Sequence, residues 1–322
     1  MASKDIQALS QALSNETEKI IIGKRDQIEL MVMALLSGGH ILLDDLPGSG
    51  KTTLVKTLSL AMGCDFKRIQ FTPDLLPSDI LGMNIFNQKT GDFQYMEGPV
   101  NTNILLADEI NRAIPRTQSA LLEAMEERQV TIDGVAHPLP KPFFVMATQN
   151  PVESESTFRL PAAQMDRFFI RLSLGYPSPQ EEVRMLTNLG DGTPYEIVQR
   201  VTDPQGLEDA RYQVEEVFVS DDVKQYMVDL VHQTRGHKLL SIGASPRASR
   251  SLYQGGKAWA AMQGRDFVTP EDVQHIAPAV LTHRIQLTGE ARFSGRTEEE
   301  VVRTILQETE VPPRKEALFS GK

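Results

Sequence analysis

The sequence predicts an α/β fold, with helices flanking a parallel β-sheet, followed by a smaller region that is entirely helical. Three short apolar runs, at 41–43, 103–107 and 143–147, have the length and composition of buried parallel strands. Segments with helical spacing of apolar residues separate these runs, and mainly helix-like segments follow residue 179. This order favours a sheet covered by helices, with a small helical bundle after it.

The composition sets limits on the class of protein. The chain has 322 residues, enough for two domains with cores of their own, and 40% of them are hydrophobic. A net charge of −10 argues against a protein that binds mainly by coating nucleic-acid phosphates. Cys64 is the single cysteine, and neither a leader peptide nor an apolar run approaching the length of a membrane span is seen. We therefore expect a soluble, cytoplasmic protein without membrane insertion.

The first strand leads into a glycine-rich turn that opens a helix, in the stretch ILLDDLPGSGKTT at 41–53. Gly48 and Gly50 allow a tight turn, so the backbone N–H groups and the positive end of the helix face a phosphate. Lys51 is placed to reach the β- and γ-phosphates of a nucleotide, and the Thr52 hydroxyl is placed to hold Mg²⁺. An ordinary turn would not explain a lysine at a helix N-terminus, where the helix dipole disfavours it.

One position of this loop departs from the usual phosphate-loop pattern, because Asp45 stands where the pattern has its first glycine. The strand–turn–helix context still predicts nucleotide binding. The predicted contacts are Pro47, Gly48, Ser49, Gly50, Lys51, Thr52 and Thr53.

Polar side chains follow the next two buried strands. Asp108 and Glu109 end the second, at the edge of the sheet where ligands bind in open α/β folds. Asp108 would hold Mg²⁺ through water, and Glu109 would orient and deprotonate the attacking water. A helix cap is the alternative for this pair. Asn150 follows the third strand, where its amide could touch the γ-phosphate or the attacking water, or form a turn before Pro151.

The remaining elements are predicted from periodicity and turn residues. The segment 72–100 is predicted as a helix start followed by a hairpin near 89–92, with a surface loop as the alternative, and a second hairpin turns at Asp133–Gly134. The other predicted elements are helices at 4–19, 27–36, 51–62 and 116–128 and a strand at 66–71.

A domain boundary is predicted at Tyr176, where a capping box begins at Ser178. The predicted units are an α/β domain at 1–176, a helical domain at 177–308 and a flexible tail at 309–322. Helices are expected at 179–189, 221–234, 246–263, 270–282 and 298–306.

Two arginines remain ambiguous. Arg167 precedes a strand-like run and, taken alone, is read as a surface ion-pair partner of Asp166 or of a neighbouring acid. Arg247 lies in the first turn of a helix, where the dipole opposes a cation. A nucleotide phosphate would compensate this charge, and so would solvent or an acidic side chain.

Taken in order, these motifs resemble those of an AAA+ ATPase module and, more closely, those of the MoxR family. The resemblance covers nearly the whole chain. The segments that carry it are LPGSGKT at 46–52, FTPDLLPSDILG at 71–82, LLADEINRA at 105–113, ATQNP at 147–151, LPAAQMDRF at 160–168, GASPRAS at 243–249 and GRDFVTPEDV at 264–273.

The resemblance implies an AAA+ P-loop NTPase core with β-hairpin insertions and a smaller all-α lid. It implies ATP and Mg²⁺ as cofactors, with Glu109 as the catalytic glutamate and Asn150 as the sensor 1 residue. Arg167 would be the arginine finger that enters the nucleotide site of the adjacent subunit, although Arg159 is a second candidate for that role. Arg247 would be sensor 2 and would contact the nucleotide of its own subunit.

The family also implies a homo-oligomer, usually a hexameric ring, that remodels protein clients together with a partner carrying a von Willebrand factor A domain. Two other functions are compatible with these motifs. One is a nucleotide switch that does not hydrolyse ATP, against which Glu109 argues. The other is a motor subunit for metal chelation or nucleic acid; the acidic total argues against the nucleic-acid variant.

Overall fold

The computed structural model describes residues 2–45, 48–150, 157–187 and 194–313. The predicted nucleotide contact Pro47 and most of the predicted tail lie outside these residues.

The first half of the chain alternates strands and helices, as predicted. Its elements are α1 (Ala2–Glu18), α2 (Arg25–Leu36), β1 (Ile41–Asp44), α3 (Lys51–Ala61), β2 (Phe66–Gln70), α4 (Pro77–Leu81), β3 (Gly82–Asn87), β4 (Asp92–Glu97), β5 (Ile104–Asp108), α5 (Pro115–Glu127), β6 (Gln129–Ile132), β7 (Val135–Pro138), β8 (Phe144–Gln149), α6 (Ala162–Met165) and β9 (Ile170–Leu172).

Five strands form one parallel sheet in the order β2-β5-β8-β1-β9. Leu42 of β1 pairs with Ala147 of β8, and Leu106 of β5 pairs with Met146 of the same strand. Because all five strands run in one direction, their carboxyl ends meet at one edge of the sheet and their amino ends at the other. We call these the carboxyl edge and the amino edge.

Alternate strand residues face opposite sides of the sheet and enter two hydrophobic cores. Ile41, Leu43 and Leu106 join the larger core, which also contains residues of α2, α3 and the C-terminal helices. Leu42 and Ala107 join the smaller core, which includes the apolar stripe of α5. The sheet is thus covered on both faces, as its near-continuous apolar strands require.

Both predicted hairpins are confirmed. β3 pairs with β4, and β6 pairs with β7 around the Asp133–Gly134 turn, where both residues have positive φ. The hairpins contact each other, since the Tyr95 and His137 rings stack with centroids 4.0 Å apart and Asn84 Nδ2 donates to Asp133 Oδ2 at 2.7 Å.

The second half is mainly helical. Its elements are α7 (Pro179–Thr187), α8 (Pro204–Glu215), α9 (Asp221–Gly236), β10 (Leu240–Ile242), α10 (Pro246–Met262), α11 (Pro270–Leu281), β11 (Gln286–Leu287), α12 (Gly289–Phe293) and α13 (Glu298–Glu308). The prediction of an entirely helical region is wrong in one detail, because β10 and β11 form a small antiparallel pair. These strands are too short to show a period of two in the sequence.

The N-terminal helix packs against this helical region. Ile6 and Leu13 of α1 are buried in the same core as Trp259 of α10. The N-terminal helices therefore tie the two halves of the chain together. Among the described residues, no helix combines the length and the apolar character needed to cross a bilayer.

We predict that the Cys64 thiol is almost unreactive in the folded protein. It is 9% exposed, and burial raises its pKa to about 12, so the thiolate that reacts with alkylating agents is scarce at pH 8. Iodoacetamide should label the native protein at least about a hundred times more slowly than the guanidinium-unfolded protein, as measured by mass spectrometry. Equal labelling rates would contradict the burial of this side chain.

Candidate active site

A cavity of about 420 Å³ opens at the carboxyl edge of the sheet. The residues that line it come from the glycine-rich turn and from the ends of β2, β5 and β8. They are Gly48, Ser49, Gly50, Lys51, Thr52, Thr53, Arg68, Gln70, Asp108, Glu109, Thr148, Gln149 and Asn150.

The turn before α3 has the backbone that a phosphate loop needs. Gly48 and Gly50 have φ of 82° and 83°, in the left-handed region that glycine adopts without strain. A Cβ at either position would meet no atom within 4 Å, so the backbone conformation, and not lack of space, favours glycine there. Helix α3 begins at Lys51, and its first-turn N–H groups lie at the positive end of the helix. This end can bind an anion.

Asp45 holds this loop to the segment that follows β9. Its side chain is 4% exposed and accepts three hydrogen bonds, from Ser173 Oγ at 2.7 Å, Leu174 N at 2.6 Å and Gly175 N at 3.0 Å. Its carbonyl oxygen accepts from Lys51 Nζ at 2.9 Å. The departure from the usual loop pattern is thus a buried carboxylate with three donors, which a glycine could not replace.

The two acids at the end of β5 share one hydroxyl partner. Thr148 Oγ1, on β8, donates to Asp108 Oδ1 at 2.6 Å and accepts from Glu109 N at 2.8 Å. Glu109 has φ of 56°, a left-handed conformation that is uncommon for a residue with a side chain and is often found at functional sites. The hydrogen bond to Thr148 helps to hold this conformation.

Three residues that the sequence analysis did not single out contact the acids. Arg68 forms an ion pair with Asp108. Gln70 Nε2 donates to Glu109 Oε2 at 2.6 Å, and Arg112 Nη1 donates to the same oxygen at 2.9 Å. Arg68 and Gln70 are two residues apart on β2, so their side chains lie on the same face of that strand. Each carboxylate is therefore already neutralised or hydrogen-bonded within the chain.

The donor set fits Mg²⁺. Thr52 and Asp108 line one cavity and offer oxygen ligands, which this cation prefers, and the Arg68 guanidinium shows that a cation is attracted there. No cluster of three or more His, Cys, Asp or Glu side chains suited to a metal occurs in the described parts of the chain. Few protein ligands are typical of Mg²⁺ bound together with phosphate.

Two polar atoms of this cavity lack a partner. Ser49 Oγ and Gln149 Nε2 are buried and make no hydrogen bond within the described structure. A buried polar atom without a partner is costly, so these atoms favour a polar ligand in the cavity.

Arg167 and Arg247 do not line this cavity. Both form ion pairs with Glu126 at the end of α5: Arg167 Nη1 lies 3.1 Å from Oε2, and Arg247 Nη2 contacts Oε1. They line a second cavity, of about 240 Å³, together with His40, Arg128, Asp166, Phe169, Arg250, Arg284 and others. Asp166 instead pairs with Arg284, so the ion-pair partner of Arg167 is Glu126 and not Asp166.

The second cavity lies at the amino edge. His40 immediately precedes β1, and Arg167 lies three residues before β9. A strand the length of β1 spans about 13 Å, so the two cavities lie at opposite ends of the sheet. Arg247 lies beside Arg167 at the amino edge and not at the cavity of the carboxyl edge, so its contact with the nucleotide of its own subunit stays a prediction. Arg159 lines neither cavity.

The comparisons with known proteins agree with this geometry. Residues 40–170 match the model of the ATPase family associated with various cellular activities, and residues 232–305 match the AAA lid domain. The chain is 46% identical over 315 residues to the uncharacterized protein YeaC of Bacillus subtilis, covering 98% of each chain. It is 42% identical over 310 residues to chaperone MoxR1 of Mycobacterium tuberculosis, covering 92% of this chain and 81% of the relative.

A solved structure also matches. The crystal structure of a candidate ATPase from Cytophaga hutchinsonii superposes with a TM-score of 0.90 at 38% sequence identity, over 97% of each chain. At this identity and coverage the similarity extends to both the sheet and the helical region.

We predict that Asp45→Asn loosens the segment after β9. An asparagine keeps one acceptor oxygen and places an N–H group where the other oxygen stood, so either the Leu174 or the Gly175 backbone amide loses its partner and faces another donor. Hydrogen exchange at that amide should accelerate by about tenfold or more, and the melting temperature should fall.

Asp44→Asn is the matched control for this substitution. Asp44 contacts Arg171 at a distance of 3.8 Å, and Arg171 keeps Glu299 as a second partner. Exchange at 174 and 175 should stay as in the parent protein. Equal effects of the two substitutions would show that Asp45 has no special role.

Proposed function

Since the chain belongs to the MoxR family of AAA+ ATPases, we propose that it binds ATP with Mg²⁺ and hydrolyses it to remodel or mature client proteins. The observation that carries this proposal is the cavity at the carboxyl edge, which Lys51, Thr52, Asp108, Glu109 and Asn150 line together. The residue types required for phosphoryl transfer to water converge there from three separate parts of the sequence.

Each residue has a proposed task. Lys51 and the N–H groups of the glycine-rich loop bind the β- and γ-phosphates. Thr52 and Asp108 would hold Mg²⁺, which neutralises charge on the phosphates when it is bound. Glu109 accepts a proton from the attacking water, and the Asn150 amide orients that water or the γ-phosphate. Thr148 fixes the backbone of Glu109, so that the carboxylate is presented to the cavity.

We propose that the arginines act on the nucleotide of a neighbouring subunit. Arg167 and Arg247 share Glu126 at the amino edge, whereas the nucleotide cavity of the same chain is at the carboxyl edge. A head-to-tail assembly would bring the amino edge of one subunit to the carboxyl edge of the next, and such contacts close into rings. A hexameric ring is the form that the family resemblance favours. In this proposal Arg247 contacts the nucleotide of the neighbouring subunit, whereas the family motif implies contact with the nucleotide of its own subunit.

We propose that the energy of hydrolysis is used to change the conformation of another protein. The name of the M. tuberculosis relative, chaperone MoxR1, supports a protein client. A partner with a von Willebrand factor A domain is part of the same proposal, as are a nucleotide-binding core up to residue 176 and a lid at 177–308. The reaction needs ATP, which favours the cytoplasm. Stimulation of hydrolysis by DNA or RNA would instead support a nucleic-acid motor.

We predict that Lys51→Ala and Glu109→Gln separate binding from hydrolysis. Lys51→Ala removes the cation that meets the phosphates, so ATP affinity measured by calorimetry should fall by tenfold or more. Glu109→Gln keeps the shape of the side chain but removes the general base, so steady-state turnover should fall by about 10²–10⁴-fold with ATP still bound.

Glu127→Gln, on the exposed face at the end of α5, is the control and should leave turnover unchanged. Normal ATP binding by Lys51→Ala would disprove the role of the loop. Unchanged turnover in Glu109→Gln would disprove the hydrolytic mechanism.

We predict that mixing inactive variants restores activity. Arg167→Ala and Arg247→Ala subunits keep an intact nucleotide cavity, and Lys51→Ala subunits keep intact arginines. When one arginine variant is mixed with an equal amount of Lys51→Ala, about a quarter of the interfaces in random rings combine an intact nucleotide cavity with intact arginines from the neighbouring subunit. ATP turnover should therefore rise above that of either variant alone. If Arg247→Ala gives no recovery while Arg167→Ala does, Arg247 acts within its own subunit.

A further inference from the structure

Both oxygens of the Asp108 carboxylate are already engaged. Oδ1 accepts from Thr148 Oγ1 at 2.6 Å. Oδ2 accepts two N–H groups of Arg68, from Nε at 3.0 Å and from Nη2 at 2.6 Å. The Thr148 contact is buried and belongs to the frame of the site, whereas Arg68 reaches the carboxylate from the edge strand β2.

The two partners of this ion pair differ in exposure. The side chain of Arg68 is 47% exposed, and that of Asp108 is 13% exposed. Arg68 makes one further side-chain contact, from Nη2 to Gln70 Oε1 at 2.8 Å. Its long side chain can therefore leave Asp108 by rotation about its own bonds, without movement of the sheet. Asp108 cannot follow, because it ends a central strand and is held by Thr148.

A guanidinium on Oδ2 and a divalent cation beside the same carboxylate exclude each other. Two like charges a few ångströms apart repel strongly in a partly buried site, and the two N–H groups of Arg68 occupy the lone pairs that a metal or its water would use. Without Arg68, Asp108 would keep its negative charge facing the cavity. That charge would attract any divalent cation, with or without nucleotide.

We propose that Arg68 is the resident counter-ion of Asp108 and withdraws from it when Mg²⁺ and ATP bind together. This inference rests on the proposed function and adds a residue to it. Arg68 lowers the affinity of the empty cavity for free Mg²⁺, so the metal enters with the nucleotide. It is a positioning residue for metal loading, because it acts through Asp108.

The proposal makes a prediction about the gain in nucleotide affinity that Mg²⁺ provides. Calorimetry with a non-hydrolysable ATP analogue, once in EDTA and once in Mg²⁺, gives this gain as a ratio of two dissociation constants. In Arg68→Gln the ratio should exceed that of the wild type by about three- to tenfold, the range expected for loss of a partly exposed two-donor ion pair. Because both dissociation constants are measured on the same variant, a loss of affinity or of folded protein that is equal in EDTA and in Mg²⁺ leaves their ratio unchanged.

Two further variants serve as controls. Lys67→Gln removes an equal charge from the same strand, but Lys67 contacts the carbonyl of Asn101 and not Asp108, so its ratio should equal that of the wild type. Arg68→Lys keeps the charge without the two-donor fork, so its ratio should fall between those of Arg68→Gln and the wild type.

A second measurement is independent of nucleotide. Mn²⁺ binding to the nucleotide-free protein, followed by electron paramagnetic resonance, should be tighter in Arg68→Gln than in the wild type by a similar factor. Asp108→Asn in the same background should abolish the increase. An unchanged or smaller Mg²⁺ ratio, or unchanged Mn²⁺ binding, would overturn the role of Arg68. Absence of analogue binding by the wild type would instead contradict the proposed function.

Discussion

The common direction of the five central strands is the constraint on which the functional arrangement depends. Parallel pairing places the turn after β1, the acids after β5 and the amide after β8 at one edge, although they are separated by about 40 to 60 residues in the sequence. The same pairing places the starts of β1 and β9 at the opposite edge, beside Arg167 and the end of α5. The chain thus presents two chemically different edges, one with carboxylates and a glycine-rich loop and one with arginines.

Buried polar contacts fix the carboxyl edge. Asp45 and Thr148 each bridge two segments: Asp45 joins the loop to residues 173–175, and Thr148 joins Asp108 to the backbone of Glu109. A buried hydrogen bond adds only a little to the free energy of unfolding, whereas removing one of its partners leaves the other unsatisfied at a larger cost. Such contacts therefore specify geometry more than they add stability. Asp45 also accepts from Lys51 through its carbonyl oxygen. One residue therefore contacts both the lysine expected at the phosphates and the segment that leads towards the helical region.

The sequence predicts what depends on local pattern. Apolar runs and turn residues locate the central strands, the loop at Gly48 and Gly50, and both hairpins, because each signal lies within a few neighbouring residues. Helix α8 has a start signal at Asp203–Pro204, but its apolar residues Leu207, Ala210 and Val214 are too few to stand out. The contacts of Arg68 and Gln70 with the acids cross from β2 to β5 and are set by register. The position of Arg247 depends on how α10 packs against α1, α2 and α11, which no local pattern encodes.

The charges of the amino edge bear on assembly. Arg284 is buried and pairs with Asp166, and although burial lowers its pKa to about 10 it stays protonated at neutral pH, so this pair is internally balanced. Glu126 is then shared by Arg167 and Arg247, while Arg128 and Arg250 line the same cavity without an ion pair to a carboxylate among the described residues. The lining of this cavity therefore carries excess positive charge. In the proposed head-to-tail ring it faces a cavity that holds the phosphates of ATP, so assembly and nucleotide binding favour each other through the same electrostatic attraction.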